Sequence, residues 1–559
     1  MRTRTSALPG EGAPGPGLSE AEGESNVPAR PLLRQETRLT ALLYALFLGI
    51  LALGHWRPQL AYPEMGVYLA AAMGGTLALT LLLGWASGTL RALACWSMGV
   101  FLALLVWTTL SFAWSVLPVE GLDVMGTWVE GYWVFCASLL AWRVASAASV
   151  PLGGREQWVT PAGKNSSGAM AGGNARREIS FVPLGESDLH RQEPAPLFAV
   201  SSRRMAAGMM FGFLAVVAIA GAIKGVDQFL FSYDRELAAI ESAPPTADER
   251  LNAGIRHALR EKRVAAWYGN PNVHCYILAM GLPFLLGLIA ASGRFWSQAL
   301  WGVSLLPVAA AAYWTKSRGG WLAVALVLIL AAIVIGRRRW KRTGLIAVYV
   351  ACLGLACGLM FVYMSPAKIR QSSPDQPPVR ERVEAGFWKR LTRVSTVGER
   401  LHYLTAAFRQ IARAPLLGNG LGSYGVLYAL TRPEGAGESR YAHNAPAQLW
   451  AEGGVPAVAL MVALFAMALG AGAGGGRWRQ WDEEWLPAKQ ASGLPLFGMG
   501  AASLAVFGFG SLVDFAFYQR EFFLDGCLLM GWLVALRQEK ARGVETEGET
   551  TAAPPKARW

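Results

Sequence analysis

Apolar residues in this chain gather into runs of about twenty, separated by polar loops, a spacing set by a bilayer rather than by a soluble core. The runs fall at roughly 39–53, 66–85, 92–112, 124–142, 205–224, 275–293, 297–315, 320–336, 344–364, 455–472, 494–513 and 522–537. At a rise of about 1.5 Å per residue, a run of this length crosses about 30 Å of hydrocarbon as a helix. The pattern predicts an all-α fold, a polytopic membrane bundle of about twelve transmembrane helices. The first run lacks a small-residue cleavage site and is followed by further spans, so it reads as a membrane helix and not as a signal peptide.

The polar stretches give the organisation. Residues 1–37, rich in Gly, Pro, Glu and Ser, read as a disordered tail, and 538–559 as a second one. The Arg337–Arg339 cluster with Lys341 and Arg342 marks a cytoplasmic loop. Alternation then places loop 143–204 and both termini on the same side, and the long segments 225–274 and 365–454 outside. Within the second, Leu401, Leu404, Phe408 and Ile411 recur at spacings of three, four and three. That periodicity predicts a one-faced helix, with Arg400, Arg409 and Arg413 off the stripe, lying on the outer membrane boundary or capping the bundle.

Composition agrees with this picture. The chain is 53% hydrophobic and only 16% charged, against about 25% charged in soluble domains. Its net charge of +13 is the excess of Lys and Arg that cytoplasmic loops collect, and no nucleic-acid-binding module accompanies it. The six cysteines lie in or beside apolar runs and read as small buried hydrophobes.

Candidate chemistry crowds the outer side. His443 and Asn444, with Glu452 nine residues on, stand at the mouth of an apolar run, and an imidazole titrating near neutrality can take a proton from a hydroxyl. Lys316 and Arg318 occupy a tight outer turn against the charge bias, which suggests an anionic ligand or snorkelling to lipid phosphates. Arg263 offers a fork-shaped donor suited to phosphate, and Asn270-Pro271-Asn272 reads as a helix start. Asp514, at a span end, is a partner for an arginine or an interfacial residue. The Gly420-x-Gly422-x-x-Gly425 spacing lacks the strand–turn–helix context of a dinucleotide site and reads as a tight backbone turn. No second His or carboxylate gives a metal-ligand spacing, so no catalytic metal is expected.

Arg400 with the helix after it, Pro415-Leu-Leu-Gly-Asn-Gly-Leu-Gly, His443-Asn444 followed by Gly454, the Asn270-Pro271-Asn272 and Ser317-Arg318-Gly319 turns and Asp514 together resemble the O-antigen ligase and O-antigen polymerase superfamily, over about residues 38–537. The resemblance implies a GT-C type glycosyltransferase of the bacterial inner membrane. Such an enzyme moves a glycan from a polyprenyl diphosphate carrier to a glycolipid or glycan acceptor at the periplasmic face, without metal, nucleotide sugar or other cofactor. It implies His443 as general base, and Arg318, Arg400 and Arg263 holding the diphosphate. Gly454 is followed by Val455, Pro456 and Ala457, a departure from the ligase pattern that leaves polymerases and protein O-glycan ligases open. From another class, an anion transporter would place polar groups or broken helices at mid-membrane, whereas these spans carry almost no charge at their centres.

Overall fold

In a computed structural model of the chain, residues 95–147, 202–242, 259–292, 295–336, 395–470 and 496–551 are described, with isolated positions between 45 and 82. Regular structure among them is helical throughout. In chain order the helices are α1 (Trp96–Leu110), α2 (Pro118–Ala147), α3 (Ser202–Asp227), α4 (Tyr233–Ser242), α5 (Pro271–Ala291), α6 (Phe295–Val303), α7 (Leu305–Trp314), α8 (Arg318–Gly336), α9 (Ser395–Arg413), α10 (Ser423–Thr431), α11 (Ala445–Leu469), α12 (Leu496–Val513) and α13 (Arg520–Thr551). Six stretches among the described residues are long and apolar enough to cross a membrane: 96–114, 118–142, 208–242, 271–289, 295–314 and 445–469. Shorter apolar helices lie at 318–330 and 498–513.

Every expected span that falls wholly on described residues is helical apart from a residue or two at an end, and 297–315 is divided at Ser304 between α6 and α7. Those at 39–53, 66–85 and 344–364 lie wholly or mostly outside the described residues, as do residues 1–37 and most of loop 143–204. The tail expected from 538 is instead helical as far as Thr551, where it continues α13. One boundary moves. The run expected to open at 455 begins as a helix at Ala445, ten residues earlier, because Asn444 caps it and Pro446 sits in its first turn, where a missing N–H costs nothing.

The bundle is organised on α5. It packs against α3, α12 and α8, and 83% of its membrane-length window is buried, against 33% for α1. Small residues permit this: a side chain at Gly281 would collide with Ala218 and the Leu214 carbonyl of α3. A second seam joins α2 to α13, where Trp128 stacks on Phe523 and Ser138 bonds the Leu528 carbonyl. Leu102 and Val106 of α1, Val216 and Ile223 of α3, and Leu322 and Ile329 of α8 stay exposed, as lipid-facing positions do.

The amphipathic stretch is a helix, α9, and it packs with only part of its large apolar stripe, Leu404 and Ile411. Ala406, Ala407, Gln410 and Ile411 are buried against α10 and α11, while Leu401 and Phe408 are more than half exposed. Ala406 and Ala407 allow a close approach, and Leu401 and Phe408 stay on the open side.

Candidate functional site

Four helix ends meet around one buried carboxylate, Asp514. At the start of α5, Asn270 supplies the cap, accepting from Asn272 N–H at 2.8 Å, and Pro271 takes the first helical position. With the cap filled, the Asn272 side chain is left to reach sideways. Its Nδ2 donates to Asp514 Oδ2 at 2.6 Å, and its Oδ1 accepts from Arg263 at 3.3 Å. Asp514 follows the last residue of α12 and is fully buried. Arg400, in the second turn of α9, donates one arm to the Val513 carbonyl at 2.7 Å and the other to Asp514 Oδ2 at 3.3 Å. A cation at the carbonyl end of α12 also opposes the helix dipole.

Oδ1 of Asp514 meets His443 Nδ1 at 2.8 Å and accepts from the Phe515 N–H at 2.9 Å. Burial raises the Asp514 carboxyl, but the His443 hydrogen bond and the Arg400 charge outweigh it and hold it below the ordinary carboxylate value. The group is therefore ionised at neutral pH. An ionised Asp514 can only accept, so Nδ1 carries a proton and Nε2 is the basic nitrogen. His443 sits with φ of 51°, a left-handed conformation rare for a non-glycine residue, as is that of Lys316. Its ring is stacked on Tyr403 at 5.0 Å and met edge-on by Phe515 at 4.9 Å. Asn444 fixes the backbone beside it: Oδ1 caps α11 through Ala447 N–H at 2.9 Å, and Nδ2 donates to Leu512 O of α12 at 2.8 Å.

The other cations border this cluster. Arg263 also donates to the Thr315 carbonyl at 3.2 Å, and Lys316 Nζ donates to the Glu261 carbonyl, so segment 261–263 is laced to the turn between α7 and α8. Arg318 opens α8. A side chain at its neighbour Gly319 would collide with the Tyr276 hydroxyl and reach Val513, so this turn lies close to the end of α12. His443, Arg400, Arg263 and Asp514 thus form one hydrogen-bonded chain through Asn272, with the Lys316–Arg318 turn alongside.

Glu452 does not share this chain. It lies two turns into α11, 1% exposed, with Tyr424 N–H, Gln448 Nε2 and Tyr518 Oη around its carboxylate at 3.4, 3.1 and 3.5 Å. The expectation that Glu452 frames His443 is corrected. The carboxylate at the imidazole is Asp514, 71 positions away, because the early start of α11 carries Glu452 into the bundle.

The glycine-rich turn explains where Glu452 sits. Gly454 has φ of 69° and ψ of −170° inside α11, and Pro456 follows, so the helical ladder breaks and leaves the carbonyls of 451–453 without helical donors. The turn supplies them. Asn419 N–H and Nδ2 both bond Ala451 O at 2.9 Å, Gly420 N–H bonds Glu452 O at 2.8 Å, and the Trp107 indole bonds Gly453 O at 2.7 Å. A side chain at Gly454 would collide with the Leu416 carbonyl, and one at Gly418 with that of Glu452. Gly418 and Gly454 serve this backbone-to-backbone contact.

Among the described residues no three His, Cys, Asp or Glu side chains converge as metal ligands. Sequence reasoning missed the bridging role of Asn272 and the aromatic walls Tyr403 and Phe515; the only signal was that Asn270 and Asn272 compete for one cap.

An all-helical, multi-pass membrane protein with a buried aspartate orienting a half-open imidazole among arginines defines the class. Residues 303–462 match the family model described as O-Antigen ligase, which supports a relation to the O-antigen ligase superfamily. The matched segment holds Lys316, Arg318, Arg400, the glycine turn, His443 and Glu452; Arg263, Asn272 and Asp514 lie outside it. No curated protein matches the chain.

Proposed function

We propose that the chain is a glycosyltransferase that moves a glycan from a polyprenyl diphosphate carrier to an acceptor hydroxyl at the periplasmic face of a bacterial inner membrane. In this reading residues 38–537 form the membrane domain, 365–454 its periplasmic loop, and both termini are cytoplasmic. The observation that carries it is the line from Arg400 through Asp514 to His443 Nδ1.

The chemistry follows from that line. His443 Nε2 takes the proton of the acceptor hydroxyl as its oxygen forms a bond to the anomeric carbon of the donor sugar. The bond from that carbon to the carrier's diphosphate breaks, and the electron pair leaves with the diphosphate. Asp514 stabilises the imidazolium that results, a general-base contribution of about 10²–10⁴-fold. Charge building on the leaving diphosphate is met by preorganised cations: Arg318, the arms of Arg400 not spent on Asp514 and Val513, and Arg263. Asn444 holds the imidazole in register, Lys316 adds charge at the rim, and Glu452 supports the loop from beneath.

Deleting the gene and resolving surface polysaccharide on a gel tests this reading. Lost attachment to the lipid A core identifies a ligase, loss of long chains a polymerase, and an unglycosylated protein a protein O-glycan ligase. An unchanged glycan profile overturns the reading and returns the arginines to an anion entry site.

A further inference from the structure

A groove whose lining shares no residue with the cluster at Asp514 is not used by the reaction above. It encloses about 530 Å³, within the ~300–1,000 Å³ of ligand pockets, and runs between the start of α2, the outer face of α10 and loop 432–440. Its charges cancel: Glu120 and Glu438 face Arg432 and Arg440, and Arg440 bonds Glu120 at 2.6 Å. The Arg432 and Glu438 side chains make no hydrogen bond within the described protein, and both are exposed. Gly422 and Gly425 leave the floor without side chains, and Tyr428, fixed by its bond to the Gly437 carbonyl at 2.9 Å, gives it an aromatic wall.

This lining differs in kind from the cluster at Asp514. A diphosphate needs an excess of cations. A balanced set of carboxylates and guanidiniums, with donors and acceptors in alternation, matches a neutral polyol whose hydroxyls both donate and accept. The groove also leads to the imidazole. Arg440 is followed by Tyr441, whose ring stacks on Phe515 at 4.5 Å and 3°, and Phe515 meets His443. Arg440 is three positions from His443, a reach of at most about 11 Å, or two sugar units. Asp514 occupies Nδ1, so the nitrogen left to meet a hydroxyl is Nε2, and the arginines that would hold the carrier share the Asp514 side.

We propose that this groove binds the neutral sugar residues of the acceptor, next to the hydroxyl that His443 deprotonates. The proposal rests on the glycosyl-transfer reading, but its test separates the two. The full chain in lipid nanodiscs is titrated with a panel of neutral oligosaccharides and, separately, with inorganic pyrophosphate, alongside an Arg432→Ala/Glu438→Gln variant whose melting temperature is checked against the parent. The groove predicts at least a tenfold loss of oligosaccharide affinity in the variant, with pyrophosphate affinity unchanged. Oligosaccharide affinity equal in parent and variant, or absent from the parent, overturns the groove. Oligosaccharide binding that depends on the groove without any pyrophosphate binding instead overturns the diphosphate reading and leaves the groove standing.

Discussion

Asp514→Asn removes one charge while keeping the side chain's size, and its consequence can be worked from the contacts. Asp514 accepts from four groups, Arg400, Asn272, His443 and the Phe515 N–H, at 3.3, 2.6, 2.8 and 2.9 Å. An asparagine offers one accepting end and one donating end. If the amide turns its NH₂ to His443, Nδ1 must accept, the ring proton moves to Nε2, and the base is lost. If it turns its oxygen to His443, Asn272 and Arg400 face a donor. In either orientation the imidazolium of the transition state loses its counter-charge. At about 4 Å between charge centres and an effective dielectric near 20, that pair is worth about 4 kcal/mol. The His443 side chain is 22% exposed, and screening lowers the figure to about 3 kcal/mol. At a tenfold change per ~1.4 kcal/mol, glycan transfer falls about 100-fold. The assay is single-turnover transfer by purified protein with saturating donor and acceptor, so that weakened binding through Arg400 does not enter. Transfer within threefold of the parent would refute the orienting role of the carboxylate.

His443→Ala abolishes transfer while membrane insertion and melting temperature are kept; retained transfer removes His443 from the chemistry. Arg318→Lys keeps the charge but loses the fork, so donor KM rises about tenfold or more, and an unchanged KM counts against a diphosphate contact. Gly454→Ala forces a side chain at φ of 69° into the Leu416 carbonyl, costing more than about 2 kcal/mol, seen as a lower melting temperature in detergent; a melting point equal to the parent's contradicts the tight kink. Asp514 is held below its ordinary value, so its contribution to stability is full above about pH 4 and is lost as pH falls through the lower folded value. Acid melting curves of the parent therefore steepen below about pH 4 relative to those of Asp514→Asn, and parallel curves contradict the sign.

How much of this was legible in the sequence depends on the distance a residue's role spans. The membrane helices were readable because bilayer thickness imposes one run length on them. His443, Arg400, Arg263 and Asp514 were each visible as polar groups at helix ends, since such positions have few structural uses. Their assembly was not, because the His443–Asp514 contact joins α11 to α12 across 71 positions, and no local spacing encodes it. Glu452 was drawn to His443 by sequence proximity, and helical geometry overrode that: eight residues of α11 separate it from its cap by about 12 Å. The glycine turn was readable as tight backbone, but its target, the broken ladder at Gly454, needs a helix that the hydropathy run places ten residues late. On α9 the period was correct, but which stripe residues pack was not readable, because periodicity marks where large apolar residues lie and not what covers them.

The central claim is that the Arg318, Arg400 and Arg263 side chains grip a lipid-borne diphosphate beside the imidazole of His443. A cryo-EM structure of the chain in nanodiscs with a non-transferable polyprenyl diphosphate sugar tests it most directly. The account predicts both phosphates in contact with Arg318 and Arg400, and the anomeric carbon on the Nε2 side of His443. A diphosphate seated elsewhere, on the opposite membrane face or out of reach of both arginines, contradicts it.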